Sequence, residues 1–180
     1  MLARYFCRAT NPHADQQNAP APLGARALRH QRHGLGEGRW AGIEAHHIMD
    51  APMTPFCMPG TDLQTPANLS RHTLLRSYRV DEWPAWFAQA GERCPSLTGP
   101  VLDSSIELGD LAASGFGVAL LPVPMFERHV RSGRLVRPFA TTVTLGSYWL
   151  TVPKERRMTD ALVTLLDWMR EASSRQVSLE

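Results

Sequence analysis

The sequence predicts an α/β fold, and three observations carry that prediction. Strand-like and helix-like stretches alternate from residue 65 to the end of the 180-residue chain. Gly117-Val118-Ala119-Leu120-Leu121-Pro122 is a continuous apolar run, as expected of a strand buried on both faces. Ala161, Leu162, Leu165, Leu166, Trp168 and Met169 form one apolar face of a last helix expected over about residues 159–171, with Thr159 as its N-cap.

Each element has its own signal. Thr65 caps a short helix that carries Pro66 at its first position. A short strand is expected over residues 72–78. Residues 81–90 read as a helix capped by Val80 or Asp81 and closed by Gly91, with Asp81 and Glu82 where the helix dipole favours acids. Residues 100–103 are a strand edge. Ser104 or Ser105 then caps a helix whose apolar face is Ile106, Leu108, Leu111 and Ala112, ended by Gly115. A helix over 124–131 ends at Gly133, and strands are expected over 135–139 and 147–152. Residues 45–56 hold strand-like apolar positions, but Pro52 and Pro55 suit an extended crossing segment better than a central strand. The chain after Ser173 is expected to fray.

Composition narrows the function classes. Apolar residues at 43% and charged residues at 20% are ordinary for a soluble globular chain. No run of eighteen apolar residues exists, and residues 1–10 lack the pattern of a secretory signal, so a cytoplasmic location is expected. The net charge of +2 shows no basic stripe of the kind nucleic-acid surfaces carry. Cys7, Cys57 and Cys94 form no CxxC pair, which argues against a zinc site or a disulfide framework. Arg supplies eighteen of the nineteen basic residues, with Lys154 the other, which reads as coding bias. Residues 1–32, with five Arg, one acid (Asp15) and no sustained apolar period, are expected to be a poorly ordered tail.

The residues offer little for catalysis. The glycine-rich turn His33-Gly34-Leu35-Gly36-Glu37-Gly38 lacks GxGxxG spacing and reads as a loop or a ligand rim. No serine sits in GxSxG. His46 and His47 are adjacent and would point to opposite faces of a strand, a poor grip on one metal ion. Cys57, between Phe56 and Met58, is expected to be an inert thiol with a raised pKa. Neither an enzyme, a cofactor nor a metal is expected. Binding is better supported. Asp103-Ser104-Ser105 stands where a strand ends and a helix begins, so free N–H groups and two hydroxyls suit a carboxylate or phosphate, with plain helix capping as the alternative. Of Tyr148 and Trp149, one should face the core and leave the other for a cleft.

Eight stretches in order resemble the effector-binding domain of LysR-type transcriptional regulators, in the branch of the glycine-cleavage activator and the β-lactamase-gene regulator. They are residues 33–40, 52–59, Leu74 to Trp83, Leu102-Asp103-Ser104-Ser105, Gly115 to Pro122, Met125-Phe126, Gly133 to Phe139 and Gly146 to Leu150. The resemblance implies a periplasmic-binding-protein-like fold (type 2) of two α/β lobes with an effector cleft. Residues 33–55 would be a remnant of lobe I and a crossing strand, 56–139 lobe II, and 140–173 the return to lobe I, with 174–180 a tail. Carried over by position, Ser104 or Ser105 and Tyr148 look like effector contacts, with Asp103 beside them and Glu37 a weaker candidate on the rim. The effector in this branch can be a cell-wall peptide fragment or an amino acid. Intact family members form homodimers or tetramers.

The sequence departs from the family where the winged helix-turn-helix, the linker helix and the start of lobe I would stand. Residues 1–32 resemble none of these, so the first lobe is expected to be incomplete and the N-terminal stretch to be frameshifted or divergent. DNA binding would then belong to the absent helix-turn-helix. The leading expectation is an effector-sensing regulator domain. A stand-alone solute-binding protein of the same fold is the alternative.

Overall fold

The computed structural model describes residues 40–177, without the side chains of 175–177. The tail reading of residues 1–32, Cys7, and the glycine-rich turn with Glu37 lie outside the described residues. The described residues divide into two compact units, one comprising 40–50 and 146–177, the other Ala51–Leu145. Five strands form a sheet in the order β3-β2-β4-β1-β5, where β1 is Ile43–Phe56, β2 Leu74–Ser77, β3 Val101–Leu102, β4 Val118–Pro122 and β5 Val143–Pro153. The helices are α1 (Glu82–Gln89), α2 (Ser105–Ala113), α3 (Val123–Arg131) and α4 (Asp160–Val177), with a 3-10 helix at Pro66–Arg71.

In the unit of Ala51–Leu145, β4 is the keystone. All five of its residues are buried. It pairs parallel with β2 (Leu74 opposite Val118) and antiparallel with the end of β1 (Phe56 opposite Ala119). Side chains alternate across a strand, so Val118 and Leu120 enter one core and Ala119 and Leu121 the other. The first core holds Trp83, Trp86 and Phe87 of α1 with Leu69 of the 3-10 helix. The second holds Leu108 and Ala112 of α2 with Val123 and Phe126 of α3. Each such Leu or Phe, fully buried, contributes roughly 1.5–3 kcal/mol. Two hydrogen bonds converge on one carbonyl beside the first core: Trp86 Nε1 donates to Thr141 O at 2.9 Å, and buried Thr54 Oγ1 donates to it at 2.9 Å.

In the other unit, β5 lies beside β1 and α4 packs through Leu166 onto Ile48 and Leu150. Arg170 Nε donates to the His47 carbonyl at 2.8 Å and ties the helix to β1.

Several expectations are corrected. Residues 45–56 lie within a 14-residue strand flanked on both sides, despite Pro52 and Pro55. A proline removes one donor but keeps an extended φ and its carbonyl, and here Pro55 stands opposite Leu120 in the ladder. The strand expected at 135–139 reduces to a single bridge between Cys57 and Val136. Ile106 is 61% exposed, because the buried face of α2 is Ser105, Leu108, Gly109 and Ala112, and Ile106 is turned about 100° from it. Trp168 and Ala161 are likewise exposed, since α4 packs through Leu162, Leu165, Leu166 and Met169. The last helix, expected over about residues 159–171, runs from Asp160 to Val177.

Gly109 of α2 is required by close packing: a Cβ there would run into the Phe126 ring of α3. Gly109→Ala is expected to destabilise the chain by about 1–3 kcal/mol through overpacking. Urea denaturation checks this, and an unchanged midpoint would show that Phe126 can move aside.

Candidate functional site

The parallel strands β2 and β3 run in register, Ser77 opposite Leu102, so their carboxyl ends deliver residues 78–79 and 103–105 to the same edge of the unit. Ligands of open α/β sheets bind at such edges. After β3 the chain passes exposed Asp103 and turns into α2 at Ser104. Ser104 is the N-cap, with extended φ −118° and ψ 127°, and its Oγ accepts from the N–H of Ile106 (3.2 Å) and of Glu107 (3.4 Å). Ser105, the first helical residue, is only 3% exposed, and its hydroxyl has no hydrogen-bond partner among the described residues. Capping therefore occupies Ser104 and leaves the Ser105 hydroxyl uncommitted among the described residues.

Beside them stands a group whose role the sequence reading missed. Glu82 is 3% exposed and accepts from Ser77 Oγ at 2.6 Å and from Arg79 Nη1 at 3.4 Å. Ser77 Oγ also accepts from the Arg79 N–H at 3.0 Å. Trp83 Nε1 donates to the Leu75 carbonyl at 3.0 Å and pins α1 to β2. The reading of Glu82 as a dipole residue was incomplete: it is a buried carboxylate with a charged and a hydroxyl partner, the pairing such burial demands. The available signal was a serine at a strand end five residues before an acid. Asp81, at the N-cap of α1, makes no side-chain capping bond.

Tyr148 belongs to the other unit. It shares a face of β5 with Leu150 and packs against the Ile48, Leu150 and Leu166 cluster, so it is the core-facing member of the Tyr148–Trp149 pair. Trp149 meets His47 edge-on at 5.0 Å and Trp40 at 6.2 Å. Its buried Nε1 has no partner among the described residues. Near it, Asp50 Oδ1 accepts from Ser147 Oγ at 2.9 Å and contacts His47 Nε2 at 3.0 Å. The hydrogen bonds from Ser147 and then His47 hold the Asp50 carboxyl below its usual value. The serine here donates to a carboxylate held below its usual pKa, a weak base, which is not the arrangement of an activated nucleophile. His46 lies 3.4 Å from Glu44, and among the described residues no three potential ligands gather around a metal position. Cys57 is fully buried, which pushes its thiol above the ordinary value.

This architecture is that of an α/β ligand-binding domain, and comparison with known proteins gives its family. Residues 27–174 match the LysR substrate binding domain, and the chain belongs to that family. It is 49% identical over 142 residues to the HTH-type transcriptional activator AmpR of Rhodobacter capsulatus, covering 78% of this chain and 49% of that protein. The chain thus spans about half the length of the curated relatives it matches. The effector domain of the regulator AmpR of Pseudomonas aeruginosa superposes with a TM-score of 0.73 at 43% identity, covering 81% of this chain and 74% of that one. The AmpR effector binding domain of Citrobacter freundii does so with a TM-score of 0.73 at 39% identity, covering 78% and 72%. The fold is the periplasmic-binding-protein-like fold of LysR effector domains, and the chain is a LysR-family effector-binding domain.

Two predictions test this geometry. Ser104→Ala is expected to cost about 0.5–2 kcal/mol through loss of the cap, read as a lower denaturation midpoint; no change would mean that water replaces the cap without loss. Because folding lowers the Asp50 pKa, its contribution to stability is complete above the usual carboxylate range and is lost as pH falls through the lowered value. Ser147→Ala should move the Asp50 titration upward, followed by NMR of the carboxyl carbon; an unmoved titration would rule out Ser147 as the cause.

Proposed function

We propose that this chain is the sensing part of a bacterial transcriptional regulator of the β-lactamase-regulator kind, and that it acts in the cytoplasm without catalysing a reaction. Binding of a small effector would be passed to DNA through a winged helix-turn-helix, in a homodimer or tetramer. The observation that carries this reading is 49% identity to the transcriptional activator AmpR of Rhodobacter capsulatus and 38% identity to the carbapenem-hydrolyzing beta-lactamase transcriptional activator of Serratia marcescens across this domain. That similarity favours a regulator over a free-standing solute-binding protein.

We assign effector contacts to Ser105 and to Tyr148, which faces the core but is only half-buried, with Ser104 and Asp103 beside the first and Glu37 a weaker contact. Ser105 supports this as a hydroxyl with no partner among the described residues at the start of a helix, where N–H groups and dipole favour an anionic oxygen. A solved variant of the Citrobacter freundii domain carries a threonine-to-valine, a serine-to-alanine and a tyrosine-to-phenylalanine substitution. The serine and tyrosine changed there stand 43 residues apart, as do Ser105 and Tyr148. A carboxylate-bearing effector, either an amino acid or a cell-wall peptide fragment, suits these groups.

Ser105→Ala and Tyr148→Phe are each expected to weaken binding about tenfold while leaving the melting curve in place. Calorimetry with a panel of amino acids and cell-wall peptides reads this. An effector that binds both variants as tightly as the parent would overturn the two assignments, and the absence of binding by every member of the panel would overturn the sensing role.

A further inference from the structure

Away from these residues, α3 ends in a basic concavity of about 750 Å³ lined by Met125, Arg128, His129, Arg131, Ser132 and Arg134. That volume is within the range of small-molecule sites, about 300–1,000 Å³. The simplest account of three arginines here is that they offset the negative end of the helix dipole. The backbone has already done much of that work. Gly133, at φ 69°, lets the chain turn back, so that Arg134 N–H donates to the His129 carbonyl (2.9 Å) and Gly133 N–H to the Val130 carbonyl (2.9 Å). Ser132 N–H donates to the Arg128 carbonyl at 3.0 Å. These bonds form a Schellman end that satisfies the carbonyls of Arg128, His129 and Val130, and Ser132 Oγ adds a donor to the His129 carbonyl at 3.2 Å, so no arginine side chain is needed for them.

Nor do the arginines have strong partners. Arg131 Nε stands 3.5 Å from Glu127 Oε1, and Arg134 Nη2 3.4 Å from Asp110 Oδ1. Both distances exceed the roughly 2.7–2.9 Å of a charge-assisted hydrogen bond. Both guanidinium side chains are more than half exposed. Arg128 is exposed and has no ion pair among the described residues. Three guanidinium groups against two carboxylates leave one positive charge in excess. His129 adds an aromatic wall, its ring 5.2 Å from that of Phe126, and its buried Nδ1 has no partner among the described residues.

We propose that this concavity is a second ligand site, taking a small organic molecule that bears a phosphate group. Guanidinium forks match phosphate oxygens in pairs, and the uncommitted Arg128 is the first contact, with Arg131 and Arg134 able to swing from their long carboxylate contacts. Met125 and the His129 ring supply surface for the organic part. The site is built from α3 and its C-terminal turn, and stands whether or not Ser105 and Tyr148 bind the effector.

The test is titration of the 180-residue chain with pyrophosphate by calorimetry, alongside a short DNA duplex. Saturable one-site binding is expected, weakened about tenfold in Arg128→Gln and lost in the Arg128→Gln/Arg131→Gln double variant. Arg93→Gln, an exposed arginine outside the concavity, should bind as the parent does. Absence of saturable binding at millimolar pyrophosphate would overturn the proposal, and so would an equal loss in Arg93→Gln. Duplex binding that depends on Arg128 without pyrophosphate binding would also overturn it, by making the patch a nucleic-acid contact.

Discussion

The burial of β4 on both faces is the constraint from which the unit of Ala51–Leu145 follows. A strand with no exposed residue needs backbone partners on both edges and apolar cover on both sides. Its edges are satisfied by β2 in parallel and β1 in antiparallel. Its two sides are covered by α1 with the 3-10 helix and by α2 with α3. Each connection then has a set direction. Gly109 closes the gap between α2 and α3, and the alternation of Val118, Ala119, Leu120 and Leu121 divides the apolar residues between two cores.

The polar residues at the strand ends are a consequence of that arrangement. Parallel β2 and β3 must stop at the same edge, and the helices that return from them start there with unpaired N–H groups. Ser104 uses its hydroxyl to satisfy two of these at α2. At α1 the polar side chains serve each other instead, as Ser77 and Arg79 hold the buried Glu82. The edge is thus pre-organised, with Ser105 held in the first turn of a capped helix.

In the other unit the same alternation rule separates Tyr148 from Trp149. β5 sends Tyr148 and Leu150 toward the cluster that Leu166 of α4 joins, and Ser147 and Trp149 toward Asp50 and His47. The Asp50 carboxylate accepts from both neighbours, which orders this patch and lowers the carboxylate's basicity toward the serine.

The sequence alone carried the α/β class, the buried β4, the capped start of α2, the glycine ends of the helices and the family. These rest on local rules: a continuous apolar run, a serine before an amphipathic stretch, a glycine where φ turns positive. The tertiary structure decided what local rules leave open. Ile106 and Trp168 are apolar residues in helices, yet their angular positions put them in solvent. Pro52 and Pro55 look like breaks until neighbouring strands hold β1 extended on both sides. Glu82 reads as a residue at a helix start until Ser77 and Arg79 are folded against it. Which of Tyr148 and Trp149 faces the core depends on the register of β5 against its neighbours. A one-residue shift would exchange them, and only contacts distant in sequence set that register.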